Sequence, residues 1–180
     1  MARHILLTGA PGCGKTTVIR AIVEQLRRSR AAGSVRGFWT EEVREDRTRV
    51  GFRIETVGGA RGTLARAGLR SGPTVGRYGV DLSSFESVGV AEVEDALCDA
   101  TEGRDLVLVV DEIGEMELFS ARFHQALERA FAEVPHVVAT VMQRKHPFAD
   151  ALKARPDVRA ITVTVRNRAD LPAEVLRQLA

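Results

Sequence analysis

The stretch Gly9-Ala10-Pro11-Gly12-Cys13-Gly14-Lys15-Thr16 decides the fold of this chain. A short apolar run from residue 4 to 8 precedes it, and apolar residues at helical spacing follow it as far as Gly33. A glycine turn of the form G-x-x-x-x-G-K-[ST] between a buried strand and an amphipathic helix surrounds phosphate with backbone N–H groups. The sequence therefore predicts a phosphate-binding loop that holds a nucleotide.

Each position of this loop has a predicted part in the site. Lys15 reaches the β- and γ-phosphates, and Thr16 ligates Mg²⁺ through its hydroxyl. Cys13 occupies a free position of the motif, and we expect an inert small residue there. The predicted nucleotide contacts from this segment are Gly9, Ala10, Pro11, Gly12, Cys13, Gly14, Lys15, Thr16 and Thr17.

A second acidic motif lies about a hundred residues later. The continuous apolar run Leu106 to Val110 reads as a strand buried on both faces, and it ends in Asp111-Glu112. An aspartate at the end of such a strand holds the magnesium shell, so Asp111 is a predicted metal ligand and nucleotide contact. A glutamate directly after it can orient and polarise a water for in-line attack. Glu112 is therefore the predicted catalytic base of a hydrolase.

The rest of the chain alternates strands and helices around one β-rich segment. Residues 35–78 form short β-rich pieces separated by turns, which predicts an inserted antiparallel hairpin region. Helical patterns at 90–100 and 119–131, strands at 136–142 and 160–165, and helices opened by Pro147 and Pro172 complete the pattern. This alternation predicts a single α/β domain over residues 1–180, a three-layer sandwich with a mainly parallel central sheet.

Composition narrows the class of protein. The 180 residues are 44% hydrophobic and 28% charged, which is ordinary for a soluble globular domain, and the longest apolar run is far too short to cross a bilayer. The beginning of the sequence lacks the pattern of a signal peptide, and two cysteines suggest no disulfide framework, so we expect a cytoplasmic protein. Residues 1–90 carry 15 basic and 8 acidic side chains, so we expect this half to face phosphate.

Four segments together resemble a known family, the small thermophile-type and cancer-related nucleoside-triphosphatases. The resemblance covers nearly the whole chain, and its most specific part is Asp-Glu-Ile-Gly-x-Met-Glu at 111–117. One departure is Glu115, where the family pattern leads us to expect a lysine. The segments are Gly37-Phe38-Trp39-Thr40-Glu41-Glu42-Val43-Arg44, Arg49-Val50-Gly51-Phe52, Asp111-Glu112-Ile113-Gly114-Glu115-Met116-Glu117-Leu118 and Asn167-Arg168.

The resemblance implies a RecA-like core that hydrolyses several nucleoside triphosphates with magnesium. It places Arg44 beside the phosphates as a candidate internal arginine finger, while an exposed hairpin arginine is an equal alternative. It also makes Gly114 a nucleotide-site residue and Asn167 and Arg168 candidate base contacts, with Arg168 stacked on the ring. A stacked contact tolerates any base, so we expect ATP, GTP, CTP and UTP as substrates.

Two other functions stay open at this point. A small-molecule or nucleotide kinase shares the size and the phosphate loop, but Glu112 and the absence of an arginine-rich lid pattern favour hydrolysis. A nucleic-acid-stimulated ATPase would use the basic 44–77 segment, with Trp39 and Tyr78 as stacking residues. The expected partner is a nucleoside triphosphate bound by a monomer, with nucleic acid only weakly supported and no membrane contact.

Overall fold

The computed structural model describes residues 2–31 and 33–179, and within them nine strands form one sheet. The strand order is β5-β6-β4-β3-β2-β7-β8-β1-β9. The strands are β1 His4–Thr8, β2 Val35–Glu45, β3 Thr48–Thr56, β4 Arg61–Ala67, β5 Thr74–Val75, β6 Tyr78–Val80, β7 Val107–Ile113, β8 His136–Val141 and β9 Val158–Thr162.

Helices cover both faces of this sheet. One face carries α1 and α6, and the other carries the remaining helices, so the predicted three-layer α/β sandwich is confirmed. The helices are α1 Lys15–Ser29, α2 Leu82–Phe85, α3 Ala91–Thr101, α4 Ala121–Glu133, α5 Pro147–Lys153 and α6 Leu171–Leu179, with a π-helical turn Glu86–Val90 and a 3₁₀ turn Glu117–Phe119.

Strand β7 shows why the sheet lies at the centre. Its alternate residues Val107 and Val109 face the α1 side, while Leu108 and Val110 face the α3 side, and all four are fully buried. A strand that is apolar at every position has to be covered on both faces. Burying each such side chain contributes about 1.5–3 kcal/mol to the hydrophobic term.

The sheet has a parallel half and an antiparallel half. Strands β2, β7, β8, β1 and β9 pair in parallel, whereas β3, β4, β6 and β5 continue the sheet antiparallel from β2. The β-rich segment predicted at 35–78 therefore begins inside the parallel core, because β2 pairs with β7 as well as with β3. The piece predicted at 74–78 is a tight hairpin of β5 and β6 rather than one strand.

The β2–β3 hairpin extends beyond the edge at which the parallel strands end. Only Val35 to Trp39 of β2 pair with β7, while the rest of β2 pairs with β3 alone. The hairpin turn at Asp46 and Arg47 has positive φ at both residues, as a two-residue hairpin turn requires. The hairpin is thereby held next to the carboxyl ends of β7, β8 and β1, where α/β sheets bind their ligands.

No helix in the described ranges combines the length and the apolar character needed to cross a membrane.

Candidate active site

The phosphate loop lies at the carboxyl end of β1 and leads into α1. Helix α1 begins at Lys15, and Gly14 before it has φ 106°, a left-handed conformation that glycine adopts without steric cost. The Lys15 Nζ donates a hydrogen bond of 3.0 Å to the Gly9 carbonyl oxygen, so the side chain folds back over the loop. The loop therefore presents an ammonium group and a helix N-terminus together, which suits an anionic phosphate.

Asp111 lies two strands away, on β7, and β8 separates β7 from β1. From β8, the Thr140 hydroxyl donates a hydrogen bond to the Asp111 Oδ1. Burial raises the pKa of Asp111, while the neighbouring Thr140 and Thr16 hydroxyls and Lys15 act to lower it. The other carboxylate oxygen of Asp111, Oδ2, is buried without a hydrogen-bond partner among the described residues.

This unpaired oxygen provides a test of the predicted magnesium site. A buried carboxylate oxygen without a partner is costly unless a cation or a water satisfies it. Thr16 and Asp111 together offer a hydroxyl and a carboxylate, the oxygen ligands that Mg²⁺ takes beside substrate phosphates. In the described residues no cluster of three histidine, cysteine or acidic side chains could hold a metal alone. Thr16 and Asp111 fit a magnesium ion whose other ligands come from the phosphates of a bound nucleotide.

Glu112 faces the phosphate loop from the end of β7. Its Oε2 lies 3.8 Å from the Lys15 Nζ, and the peptide bond between Asp111 and Glu112 is cis. Burial raises the pKa of the Glu112 carboxyl, the Lys15 ammonium opposes this shift, and the Asp111 charge adds to it. A carboxylate with a raised pKa is a stronger base, which suits the acceptance of a proton from water.

A groove of about 450 Å³ brings the phosphate loop, Glu112 and the β2–β3 hairpin together. The loop contributes Pro11, Gly12, Gly14, Lys15, Thr16 and Thr17 to its lining. The hairpin contributes Thr40, Glu41, Glu42, Arg49 and Phe52. The sequence did not identify Arg49 as a site residue, because its position depends on the register of the hairpin. Thr140 was also missed; a polar residue in an otherwise apolar strand was the only signal.

Arg44, the predicted arginine finger, is not among the residues that line this groove. Its Nε and Nη2 donate to Glu42 Oε2 at 3.1 and 2.6 Å, and its Nη1 donates to the Arg47 carbonyl oxygen at 3.2 Å. The side chain is 57% exposed near the hairpin turn. The structure therefore does not bring Arg44 to the phosphate loop, and its role stays a prediction.

The two predicted base contacts follow β9 and differ in their surroundings. A Cβ at Gly14 would lie 3.0 Å from the Arg168 Cδ, so the Arg168 side chain packs over the start of α1. Asn167 instead holds its own turn, since its Oδ1 accepts from the Thr164 N–H at 2.8 Å and its Nδ2 donates to the Thr162 carbonyl at 2.9 Å. Of the two, Arg168 is the side chain that packs against the phosphate loop.

Three other predicted residues lie near the site without lining the groove. The Cys13 side chain is buried in the core under α1, in keeping with an inert small residue. Ala10 is exposed on the phosphate loop, and Gly114 is buried beside Glu112. In the loops that follow β7 and β8, Glu115 accepts a 2.6 Å hydrogen bond from Arg144, so the glutamate that departs from the family pattern forms an exposed ion pair.

A buried carboxyl that the sequence analysis gave no role, Glu117, lies behind Glu112. A Cβ at Gly114 would lie 2.9 Å from Glu117 Oε2, so the glycine lets the Glu117 carboxyl approach the backbone beside Glu112 closely. Burial raises the pKa of Glu117 to about 8; its own and the Gly114 backbone N–H groups oppose the shift, and the charges of Glu112 and Asp111 add to it. At neutral pH the protonated form therefore predominates.

The raised pKa predicts a pH-dependent stability. Stabilisation by the protonated Glu117 is complete below the ordinary pKa of 4.5 and is lost as pH rises through about 8. Between pH 5 and 9 the free energy of unfolding of the wild type should fall by on the order of 3 kcal/mol more than that of Glu117→Gln. Urea unfolding at several pH values measures this difference, with the exposed Glu128→Gln as control. If the free energy of unfolding fell equally with pH in the wild type and in Glu117→Gln, the prediction would be wrong.

The arginines of the basic 44–77 segment are mostly paired with glutamates. Salt bridges join Arg44 and Arg49 to Glu42, Arg53 to Glu41, Arg61 to Glu55, and Arg66 to Glu45. Because these glutamates neutralise the arginines, the segment attracts the phosphate backbone of a nucleic acid less strongly than its number of arginines alone implies.

Comparison with known proteins adds three findings. A family model described as NTPase matches residues 4–176. Nucleoside-triphosphatase THEP1 of Thermotoga sp. (strain RQ2) is 41% identical over 97% of this chain and 94% of its own length. The human cancer-related nucleoside-triphosphatase is 40% identical over 98% of this chain and 96% of its own length.

Solved structures give the same result for the fold. The crystal structure of THEP1 from Aquifex aeolicus superposes with a TM-score of 0.87 and 36% identity, covering 98% of both chains. The solution structure of the human cancer-related nucleoside triphosphatase superposes with a TM-score of 0.81 and 40% identity, covering 98% of this chain and 96% of that one.

Proposed function

This chain belongs to the NTPase family of nucleoside-triphosphatases, and from that premise we propose how its own residues hydrolyse the substrate. The observation that carries the proposal is the position of Glu112, at the end of β7 and 3.8 Å from the Lys15 Nζ of the phosphate loop. Lys15 and the loop amides hold the β- and γ-phosphates, so the γ-phosphorus lies on the side of the groove that Glu112 lines.

Hydrolysis at this site needs a water placed in line with the bond that breaks. Glu112 accepts a proton from that water as the water oxygen bonds to the γ-phosphorus. The bond from the γ-phosphorus to the bridging oxygen breaks, and the nucleoside diphosphate leaves with the electron pair. The Lys15 ammonium lies beside the β- and γ-phosphates, and it stabilises the negative charge that develops on their oxygens during the reaction.

Magnesium is the proposed cofactor, held by the Thr16 hydroxyl and the Asp111 carboxylate. A bound magnesium ion would neutralise charge on the β- and γ-phosphate oxygens. Support comes from the unpaired Asp111 Oδ2 and from the Thr140 hydrogen bond that fixes the other carboxylate oxygen. Thr140 thus acts as a positioning residue for Asp111.

Broad base use is the second part of the proposal. Arg168 packs over Gly14, where a planar guanidinium can stack on the face of any base. The Asn167 amide is engaged within its own loop and is not free to read one base edge. The substrates proposed are therefore ATP, GTP, CTP and UTP.

A phosphate-release panel over the four triphosphates tests this proposal. We expect steady release of phosphate from each without any acceptor, with rates within about tenfold of one another, because every base has a π-face on which a guanidinium can stack. Removal of magnesium by a chelator should abolish release. A rate for one triphosphate more than a hundredfold above the others would refute the broad base use.

The same panel separates the competing functions. Turnover only with a small-molecule or nucleotide acceptor would identify a kinase, and stimulation by RNA or DNA that declines steeply with salt would identify a nucleic-acid-dependent ATPase.

We expect the protein to be a cytoplasmic monomer. The two free cysteines, Cys13 and Cys98, suit a reducing compartment.

A further inference from the structure

Arg49 is the arginine of the β2–β3 hairpin that lines the groove together with Lys15 and Glu112. Strict alternation along β3 would put residues 49 and 52 on opposite faces of the sheet. The ladder register shifts here: Val43 lies opposite Gly51, whereas Arg44 lies opposite Arg49, so Val50 has no counterpart. This extra residue turns Arg49 to the face of Phe52 and toward the phosphate loop.

The Arg49 guanidinium is held in place by four neighbouring groups. Its Nε donates to the Tyr78 hydroxyl at 2.9 Å, and its Nη1 donates to Glu42 Oε1 at 2.8 Å. The guanidinium carbon lies 5.2 Å from the ring centre of Phe52 and 5.4 Å from that of Tyr78. Among the described residues no hydrogen-bond partner is found for Nη2. The side chain is thus fixed with one N–H₂ group available.

We propose that Arg49 is a catalytic residue that donates hydrogen bonds to the γ-phosphoryl oxygens in the transition state. This inference rests on the hydrolysis proposed above. As water adds to the γ-phosphorus and the bridging oxygen departs, negative charge is spread over the transferring group. A guanidinium held beforehand stabilises that charge without the cost of reorganisation, and Arg49 itself is unchanged by the reaction.

Other arginines near the groove are less suited to this role. Arg44 has hydrogen-bond partners at Nε, Nη1 and Nη2. Arg53 donates to Glu41 through both Nε and Nη2 and is not among the residues that line this groove. Arg20 forms an ion pair with Glu41 and lies over the Trp39 ring, outside the lining of this groove.

A purely structural role for Arg49 makes a different prediction. The side chain joins β3 to β6 through Tyr78, so its loss could lower stability without any effect on chemistry. A structural role would lower the melting temperature and leave kcat unchanged at temperatures at which the variant is folded. A catalytic role lowers kcat in the folded variant.

The experiment compares Arg49→Ala, Arg49→Lys, Arg44→Ala and Arg66→Ala in the full chain with magnesium and ATP. Steady-state phosphate release, ATP affinity and melting temperature are measured for each. We expect kcat to fall at least about 10²-fold for Arg49→Ala, with ATP affinity changed less than about fivefold. Arg49→Lys should recover little, because an ammonium cannot keep the planar bonds to Tyr78 and Glu42. Arg66→Ala, an exposed arginine paired with Glu45, is the matched control and should match wild type.

A transition-state analogue adds a readout that stability alone would not change. Nucleoside diphosphate with aluminium fluoride should bind Arg49→Ala at least about 10²-fold more weakly than wild type, while the diphosphate alone binds both similarly. Tyr78→Phe removes the acceptor of the Arg49 Nε and should lower kcat by about tenfold with little change in ATP affinity.

The outcomes distinguish this inference from the proposed function. Wild-type kcat in Arg49→Ala, with turnover still abolished by Lys15→Ala, would overturn the role of Arg49 and leave the hydrolase proposal intact. A fall in kcat in Arg44→Ala but not in Arg49→Ala would also overturn the role of Arg49 and would assign it to Arg44. Absence of acceptor-free phosphate release from the wild type would refute both proposals.

Discussion

Glu112→Gln should bind nucleoside triphosphate almost as tightly as the wild type and hydrolyse it about 10³-fold more slowly. The amide keeps the size of the carboxyl and its position 3.8 Å from the Lys15 Nζ, but it cannot take a proton from water. The half-buried carboxyl, whose pKa is raised by its partial burial, can take that proton. Single-turnover phosphate release together with fluorescent-nucleotide binding separates the two effects.

The neighbouring Glu115 provides a matched control for this substitution. It lies three residues later in the loop that follows β7, is exposed, and pairs with Arg144. Glu115→Gln should therefore hydrolyse at the wild-type rate. Full activity in Glu112→Gln would remove Glu112 from the mechanism and would require another group to activate the water.

Lys15→Ala should lower kcat/KM by at least about 10³-fold and weaken nucleotide binding as well. The ammonium lies between the Gly9 carbonyl oxygen and Glu112, inside the loop that surrounds the phosphates. Its charge acts on the bound triphosphate and on the transition state, so both KM and kcat should change. Equilibrium binding of a non-hydrolysable triphosphate and steady-state kinetics measure these two parts.

Another lysine serves as the control for charge removal. Lys153 lies on α5 and pairs with Asp150, away from the groove. Lys153→Ala should retain wild-type binding and turnover. Tight nucleotide binding by Lys15→Ala would show that the backbone amides hold the phosphates without the ammonium, contrary to the proposed division of roles.

The local part of the site was predictable because its signals lie within single elements. The glycines of residues 9–16 predict a turn between a strand and a helix. In the structure β1 ends at Thr8 and α1 begins at Lys15. The pair Asp111-Glu112 follows an apolar run that needs cover on both faces, and the structure buries that run between two helix layers. Parallel strands bring such ends to one edge of a sheet.

The part that depends on contacts between distant segments was not predictable. Thr140 reaches Asp111 only because β8 lies between β7 and β1, an order that no local pattern encodes. Glu117 is an ordinary charged residue in the sequence, and it becomes a buried carboxyl with a pKa of about 8 only after the loop beyond β7 has folded against the core.

The β2–β3 hairpin shows most directly the difference between local sequence signals and contacts between distant segments. A β-rich composition between turns predicted the β2 strand, and the family resemblance pointed to Arg44. One extra residue in β3 instead brings Arg49 to the groove. By itself the sequence determined the phosphate loop, the acidic pair and the three-layer architecture, because periodicity and turn chemistry act over a few residues. Tertiary structure alone decided which arginine, which threonine and which further glutamate join them, because strand order and register place side chains that are far apart in the chain.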